Sequence, residues 1–456
     1  MKNMKKYIAK GLIYCGIAAT LSTAFTSCRF EDDDYFSESA ALRIEHQGEE
    51  LRNQLVSAPD GWIMQFFCAS DVAQFEGFNL FARFEDNGKV TMASDHRLLR
   101  DGKANTYTEA SSPYEILNED GLVLAFNVWN DVLTPFSDPV AYWAAPNNIL
   151  KDGEGMHGDY NFVIMSRNEN EVIMRGERYQ AQVRLVKCDR PWKQYIDDVK
   201  AMKAKITNTI INDYYVTNGS RTLYFQGVRN GKFLYTDNLD KAKAIKVDSV
   251  ACVFTPNGLR LERKDSIGGN KFQELTLSED NTCLQSEDGL VKVRACWDTY
   301  IAGHTPIWKM DTSLFSVEQN ELFDKINSEI QKFQKAWSLE SIGIGKSTGS
   351  RATLGLVFTF YTSAAKTSTR TLGLSLTMKV PAFGQMTINC TAEDTTDQNF
   401  ESAVKNGATD MENLARTFAA TISGTYQITP DNYFLPEGAL FKIIGGTGVT
   451  FSASSK

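Results

Sequence analysis

Between residues 129 and 148 the chain reads WNDVLTPFSDPVAYWAAPNN. Trp129, Phe136, Tyr142 and Trp143 are interleaved there with Asp131, Asp138, Asn147 and Asn148, and three prolines break the run. Flat aromatic faces beside amide and carboxylate acceptors suit sugar rings, whose C–H faces stack while their hydroxyls hydrogen-bond. The competing account is that the rings plug the end of a β domain, because large aromatics bury area wherever they sit. On the first account the candidate ligand-binding residues are Trp129, Asp131, Asp138, Tyr142, Trp143 and Asn147.

Other chemistry is sparse. His46, His96, His157 and His304 are scattered, with no helical pair at zinc-enzyme spacing and no Cys-x-x-Cys. His157 stands with Glu154 and Asp159 in GEGMHGD, a metal or acid/base cluster on one account and a polar glycine-rich loop on the other. Ile344-Gly345-Lys346-Ser347 has the end of a phosphate loop, but Glu340 occupies the place of its first glycine and a helix precedes it. The chain has no G-x-S-x-G elbow. Leu223 to Gly227 reads as a strand entering a turn. Asp248-Ser249-Val250 and Asp265-Ser266-Ile267 match a short glycosylation acceptor pattern of the kind that arises easily by chance. The residues thus assign no catalytic group, metal or cofactor, although 56 acidic residues leave room for a dispersed carboxylate pair.

The clearest chemistry is at FTSCRFEDDD, residues 25–34. Lys2, Lys5, Lys6 and Lys10 precede an apolar core from Gly11 to Phe25, and small residues lead to Cys28. This is an export-signal pattern, and its core is short of the roughly twenty residues that span a bilayer. Thr26-Ser27-Cys28 resembles a bacterial lipobox, with Phe25 where a leucine is usual. The implied outcome is cleavage after residue 27 and a diacylglycerol on the Cys28 sulfur, with acyl chains such as palmitate holding the protein to a membrane. Glu31, Asp32, Asp33 and Asp34 form an acidic tether over 28–36. Cleavage takes away four lysines and no acid, so the formal charge moves from −8 to −12. That balance argues against nucleic acid as a partner. Of the cysteines beyond residue 28, Cys283 and Cys296 have a spacing that allows a pairing across a hairpin, and buried free thiols are the other reading.

The elements that must position these groups are mostly strands. Helical spacing covers Ser37–Val56, Pro191–Ile211, Val317–Leu339 and Gln398–Ala419. Between these run apolar and aromatic segments separated by Asn-Gly and Asp-Gly turns, such as Trp62–Cys68, Phe78–Phe84, Lys89–Ala93, Leu122–Phe126, Tyr160–Met165 and Gln182–Val186. The expected fold is mainly β (α+β), antiparallel meanders forming barrel- or sandwich-like domains, each preceded by a helix. The expected units are the signal at 1–27, the tether at 28–36, an N-terminal β-rich domain at 37–305 with a helix at about 191–211, and a C-terminal α+β domain at 311–456.

SAPDGW at 57–62, FNLFARFEDNGKVTMASD at 78–95, FNVWNDVLTPFSDP at 126–139 and GDYNFVIMS at 158–166 resemble the domain-of-unknown-function 4302 family of Bacteroidetes surface lipoproteins. The resemblance is clearest over about 37–190. Members tend to be encoded beside SusC/SusD-type uptake systems, and the acidic run after Cys28 is similar to a surface-export tag. The resemblance implies an outer-membrane, surface-exposed lipoprotein. Its expected role is non-catalytic, binding a glycan or peptide nutrient for a SusC/SusD-type transporter. A surface hydrolase and a structural or adhesive protein are the alternatives.

Overall fold

The stretch EDNGK at 85–89 shows how the chain builds its sheets. Asn87 Oδ1 accepts the Lys89 N–H at 3.0 Å, and Gly88 takes φ +79°, a left-handed conformation that costs glycine nothing. The Glu85 N–H then donates to Lys89 O at 2.9 Å and closes the hairpin. The computed structural model describes residues 40–68, 75–119, 121–139, 156–227, 231–245, 247–303, 306–446 and 448–455. Cys28, the tether, the signal, Tyr142, Trp143, Asn147, Asn148, Glu154 and His304 lie outside the described residues.

Helix α1 (Ala40–Val56) leads into a meander of nine strands. These are β1 (Trp62–Phe67), β2 (Phe78–Phe84), β3 (Lys89–Ser94), β4 (Thr108–Pro113), β5 (Glu115–Asn118), β6 (Leu122–Ala125), β7 (Asn161–Asn168), β8 (Glu171–Gly176) and β9 (Gln182–Lys187). Their order across the sheet is 4-3-2-1-9-8-7-6-5, and β1 pairs antiparallel with β9, Trp62 opposite Lys187. The two edges, β4 and β5, are separated in sequence by Tyr114 alone. The sheet therefore curls until its edges meet at one residue, and β4 with β5 act as a single bent strand. Its interior holds Trp62, Met64, Phe66, Leu80 and Phe162, with Leu51 and Leu55 of α1 packed in.

Helix α2 (Trp192–Ile206) follows, and then a closed barrel. It comprises β10 (Asp213–Thr217), β11 (Thr222–Gln226), β12 (Lys232–Thr236), β13 (Val247–Thr255), β14 (Gly258–Ile267), β15 (Asn270–Leu277), β16 (Leu284–Gln285) and β17 (Lys292–Ala295). After α3 (Trp297–Gly303) comes a third sheet. Its strands are β18 (Trp308–Met310), β19 (Ser338–Lys346), β20 (Leu354–Tyr361), β21 (Thr369–Ser375), β22 (Thr377–Lys379), β23 (Gln385–Asn389), β24 (Gly424–Pro430), β25 (Gly438–Ile443) and β26 (Phe451–Ser454). The order 21-20-19-18-26-25-24-23-22 repeats that of the first sheet strand for strand, and Leu376 alone separates its edges. Helices α4 (Val317–Phe333), α5 (Gln398–Lys405) and α6 (Met411–Thr421) fill it with Leu322, Ile326, Phe400 and Phe418.

The fold is thus mainly β, of antiparallel barrel-like sheets, as its hairpin chemistry implies. Residues 62–295 carry two separate sheets, and one apolar cluster runs from the central barrel through Trp297 and Ile301 into the third sheet at Trp308. Several local expectations need correction. The helix expected over 191–211 stops at Ile206, because Asn208 Oδ1 accepts the N–H groups of Ile210 and Ile211 and turns the chain. That expected over 317–339 ends at Phe333, and Ser338 already begins β19. The one expected over 398–419 is two helices, broken where Gly407 takes φ +133°. Strands β4, β18 and β19 and helix α3 match none of the elements expected from the sequence. Cys283 and Cys296 are free thiols, since Leu284 opposite Val293 sets a register that leaves Cys296 two residues out of step with Cys283.

Candidate functional site

The segment that carries the candidate residues leaves the first sheet at the end of β6, where the Phe126 N–H donates to Tyr160 O at 2.9 Å. A buried asparagine ties it into a knot. Asn130 Oδ1 accepts the Val132 N–H at 3.0 Å, its Nδ2 donates to Ser112 Oγ at 3.0 Å, and its own N–H donates to Thr134 Oγ1 at 2.8 Å. Pro135, with its fixed φ, then starts a single 3₁₀ turn, Thr134–Phe136.

That knot sorts the aromatic rings. Phe136 points inward, is fully buried, and packs 4.9 Å from Phe66 and 4.8 Å from Phe78 between ring centroids. Gly158 seals the contact, because a Cβ there would meet the Phe136 backbone at 2.6 Å. Trp129 points outward and keeps 46% of its surface accessible, next to Val128 at 50%. Its indole N–H donates to Asp131 Oδ1 at 2.7 Å, and the Arg100 guanidinium lies over the ring 5.0 Å from its centroid. Arg100 is in turn ion-paired with Asp138, which is nearly buried. The result is one rigid exposed indole, fixed in its plane by a carboxylate and braced on one face by an arginine.

The brace comes from the loop after β3, and a histidine sets that loop's position. His96 Nε2 lies 2.7 Å from Val132 O and Nδ1 accepts the Leu98 N–H at 3.1 Å. A carbonyl only accepts, so Nε2 carries the proton and the ring is neutral. Burial is the main cause that lowers its pKa to about 4. The ring packs tilted against Phe136, centroids 4.6 Å apart, which links the loop at 95–106 to the knot around Asn130. Nothing in the sequence singles out Arg100. It lies 29 residues before Trp129 in a stretch without periodicity, and only the fold brings the two together.

The family assignment follows from the same part of the chain. The pattern of a family described as a domain of unknown function, DUF4302, matches residues 32–279, just over half the chain. The chain belongs to the DUF4302 family. The match takes in the whole first sheet, α2 and the central barrel as far as β15, and the Trp129 site lies within it. No curated protein matches the chain.

Elsewhere in this DUF4302 chain the other sequence candidates have structural duties. Asp159 accepts the N–H groups of Arg178, Tyr179 and Ala181 at 2.9 to 3.1 Å and holds the turn between β8 and β9. His157 stacks flat on Tyr179 at 4.7 Å, with Arg178 4.7 Å from the same ring. Among the described residues no three His, Cys, Asp or Glu side chains converge as a metal site. Gly345 and Lys346 belong to β19, Ser347 Oγ accepts the Thr353 N–H at 3.0 Å, and Glu340 pairs with Lys309 at 2.8 Å. That is a sheet strand, without the loop-to-helix geometry that cradles phosphate.

Proposed function

We propose that this DUF4302 protein is a lipid-anchored surface protein that binds a glycan or peptide nutrient without altering it and passes it to a SusC/SusD-type transporter of the outer membrane. The observation that carries the binding role is the braced, half-exposed indole of Trp129 between Asp131 and Arg100. A ring already fixed in its plane loses little freedom when a sugar or aromatic ring stacks on it. Asp131 and Asp138 accept from the indole N–H and from Arg100, so this pair serves positioning rather than proton transfer. Cys28 and the acidic stretch after it support attachment through lipid at the mature terminus.

Residues 28–456 displayed on an array of oligosaccharides and peptides should retain at least one ligand unchanged in mass. Trp129→Ala should weaken that binding about tenfold or more, roughly the worth of one stacked ring, with the same Tm as the parent. A cleaved ligand, or undiminished binding by Trp129→Ala, overturns the reading. The anchor has its own test. Mass spectrometry of the mature protein should find Cys28 acylated, and Cys28→Ala should move the protein out of the membrane fraction.

A further inference from the structure

The first sheet and the central barrel meet along a narrow seam. Its apolar part is Phe67 of β1 against Ala251 and Val253 of β13, a cluster of three that is separate from the core of either body. The polar bonds across it include Gly77 N–H to Cys252 O at 3.0 Å, Asn79 Nδ2 to Phe254 O at 2.8 Å and Arg184 Nη1 to Glu274 Oε1 at 2.6 Å. Helix α2 links the two bodies and rests on both, with Trp192 stacked on Phe81 and Lys203 over the Phe254 ring. A contact this small between separately packed bodies opens more readily than either body unfolds.

A carboxyl group is enclosed beside this seam. Cys252 opposite Leu261 sets a register that puts Glu262 of β14 across from Ala251, and Glu262 is buried. It accepts the Ala251 N–H, while Oε2 has no partner among the described residues. The groups that face it are Lys232 of β12, Asp248 of β13, Arg263 on its own strand and the Cys68 thiol just past β1. Arg263 is already paired with Asp248 at 2.5 Å. Burial raises the Glu262 pKa from 4.5 to about 7, against the pull of Arg263, the Ala251 N–H and Lys232. The closed seam therefore holds this group as the neutral acid at acidic pH.

We propose that Glu262 makes the seam a pH-sensitive joint, one that opens more often as pH rises while sheet and barrel each stay folded. In the opened joint water solvates the carboxylate, and its pKa returns to the ordinary 4.5. Between pH 4.5 and about 7 each opening thus releases a proton, so the opening equilibrium rises about tenfold per pH unit, up to about 300-fold. Above that range both forms are ionised and the equilibrium levels off. The joint lets the first sheet, with Trp129, shift against the barrel, and acid closes it.

Amide hydrogen exchange on the full mature chain tests this, with each rate corrected for the intrinsic pH dependence of exchange. Protection of the Gly77 amide, which spans the seam, should fall about 50-fold between pH 5 and pH 7.5 and little further by pH 8.5. In Glu262→Gln it should stay constant across that range. The Leu124 amide, on β6 inside the sheet's own core, should not follow Gly77, and in the variant it also reports that the sheet is folded. The proposal is overturned if Gly77 protection in the parent does not change with pH, or if Glu262→Gln shows the same fall. It is equally overturned if Leu124 loses protection in step with Gly77, since the sheet would then be unfolding rather than the joint opening.

Discussion

His96 shows what a single side chain contributes here and how little of it the sequence discloses. As one of four scattered histidines it signals nothing, yet both ring nitrogens are bonded and the ring bridges two loops of the candidate site. Its pKa is about 4 in the folded protein against 6.5 ordinarily, so between those values the unfolded chain binds the extra proton. Stability must then fall as pH drops from 6.5 towards 4, by up to about 3 kcal/mol from this residue. Urea unfolding of the parent and of His96→Gln across that range should show the stability difference between them changing with pH by about that amount; a difference that stays constant would assign the effect elsewhere. The candidate site was legible only where its partners are near in sequence. Trp129 and Asp131 are two residues apart and could be read together, whereas Arg100 and His96 join them through the sheet's closure.

At the scale of elements, sequence and structure agree wherever a local rule suffices. Ser316 Oγ accepts the Gln319 N–H at 3.2 Å and Gln319 Oε1 accepts the Ser316 N–H at 3.0 Å, a reciprocal cap at the start of α4. The expected start at Val317 is therefore the observed one. Ser316→Ala should lower stability by about 1 kcal/mol. Gln319→Ala should cost more, because Gln319 Nε2 also donates to Thr421 Oγ1 at 3.1 Å and ties α4 to α6. Urea midpoints would rank the two, and the reverse order would refute the shared role of Gln319. Strand β4 escaped notice for the opposite reason. Its sequence, TEASSP, buries Thr108 and Ser112 rather than apolar residues, so no hydrophobic alternation marks it. Tertiary pairing with β3, Val90 opposite Ser112, makes it a strand.

At the scale of the whole molecule, a helix followed by a meander is visible in the sequence at the front and the rear, but the shared strand order is not, because pairing is decided by closure rather than by residue identity. What joins the first sheet to the central barrel was equally hidden. All six residues of β1 are buried: Trp62, Met64 and Phe66 face the sheet's own core, while Ile63 packs on α2 and Phe67 on Ala251 and Val253 of the barrel. Glu262 lies in β14 beside Ala251 on that outer barrel face, 2% exposed, with Oε2 lacking a partner among the described residues. Desolvation is the leading cause that raises its pKa from 4.5 to about 7, opposed by Arg263 and Lys232. Between those values the folded protein holds the proton that the unfolded chain has released, so this residue's contribution is present below pH 4.5 and is lost as pH rises through 7. The loss is up to about 3 kcal/mol. His96 and Glu262 thus tilt the stability curve in opposite directions over nearly the same interval, and the unsubstituted protein's profile alone will not separate them. The difference between variant and parent does: Glu262→Gln, which keeps the shape without the charge, should match the parent near pH 4.5 and exceed it by about 1 to 3 kcal/mol at pH 8. A Glu262→Gln protein no more stable than the parent at pH 8 would mean that the carboxylate finds solvent or a cation in the folded state, and that the seam between sheet and barrel opens to admit it.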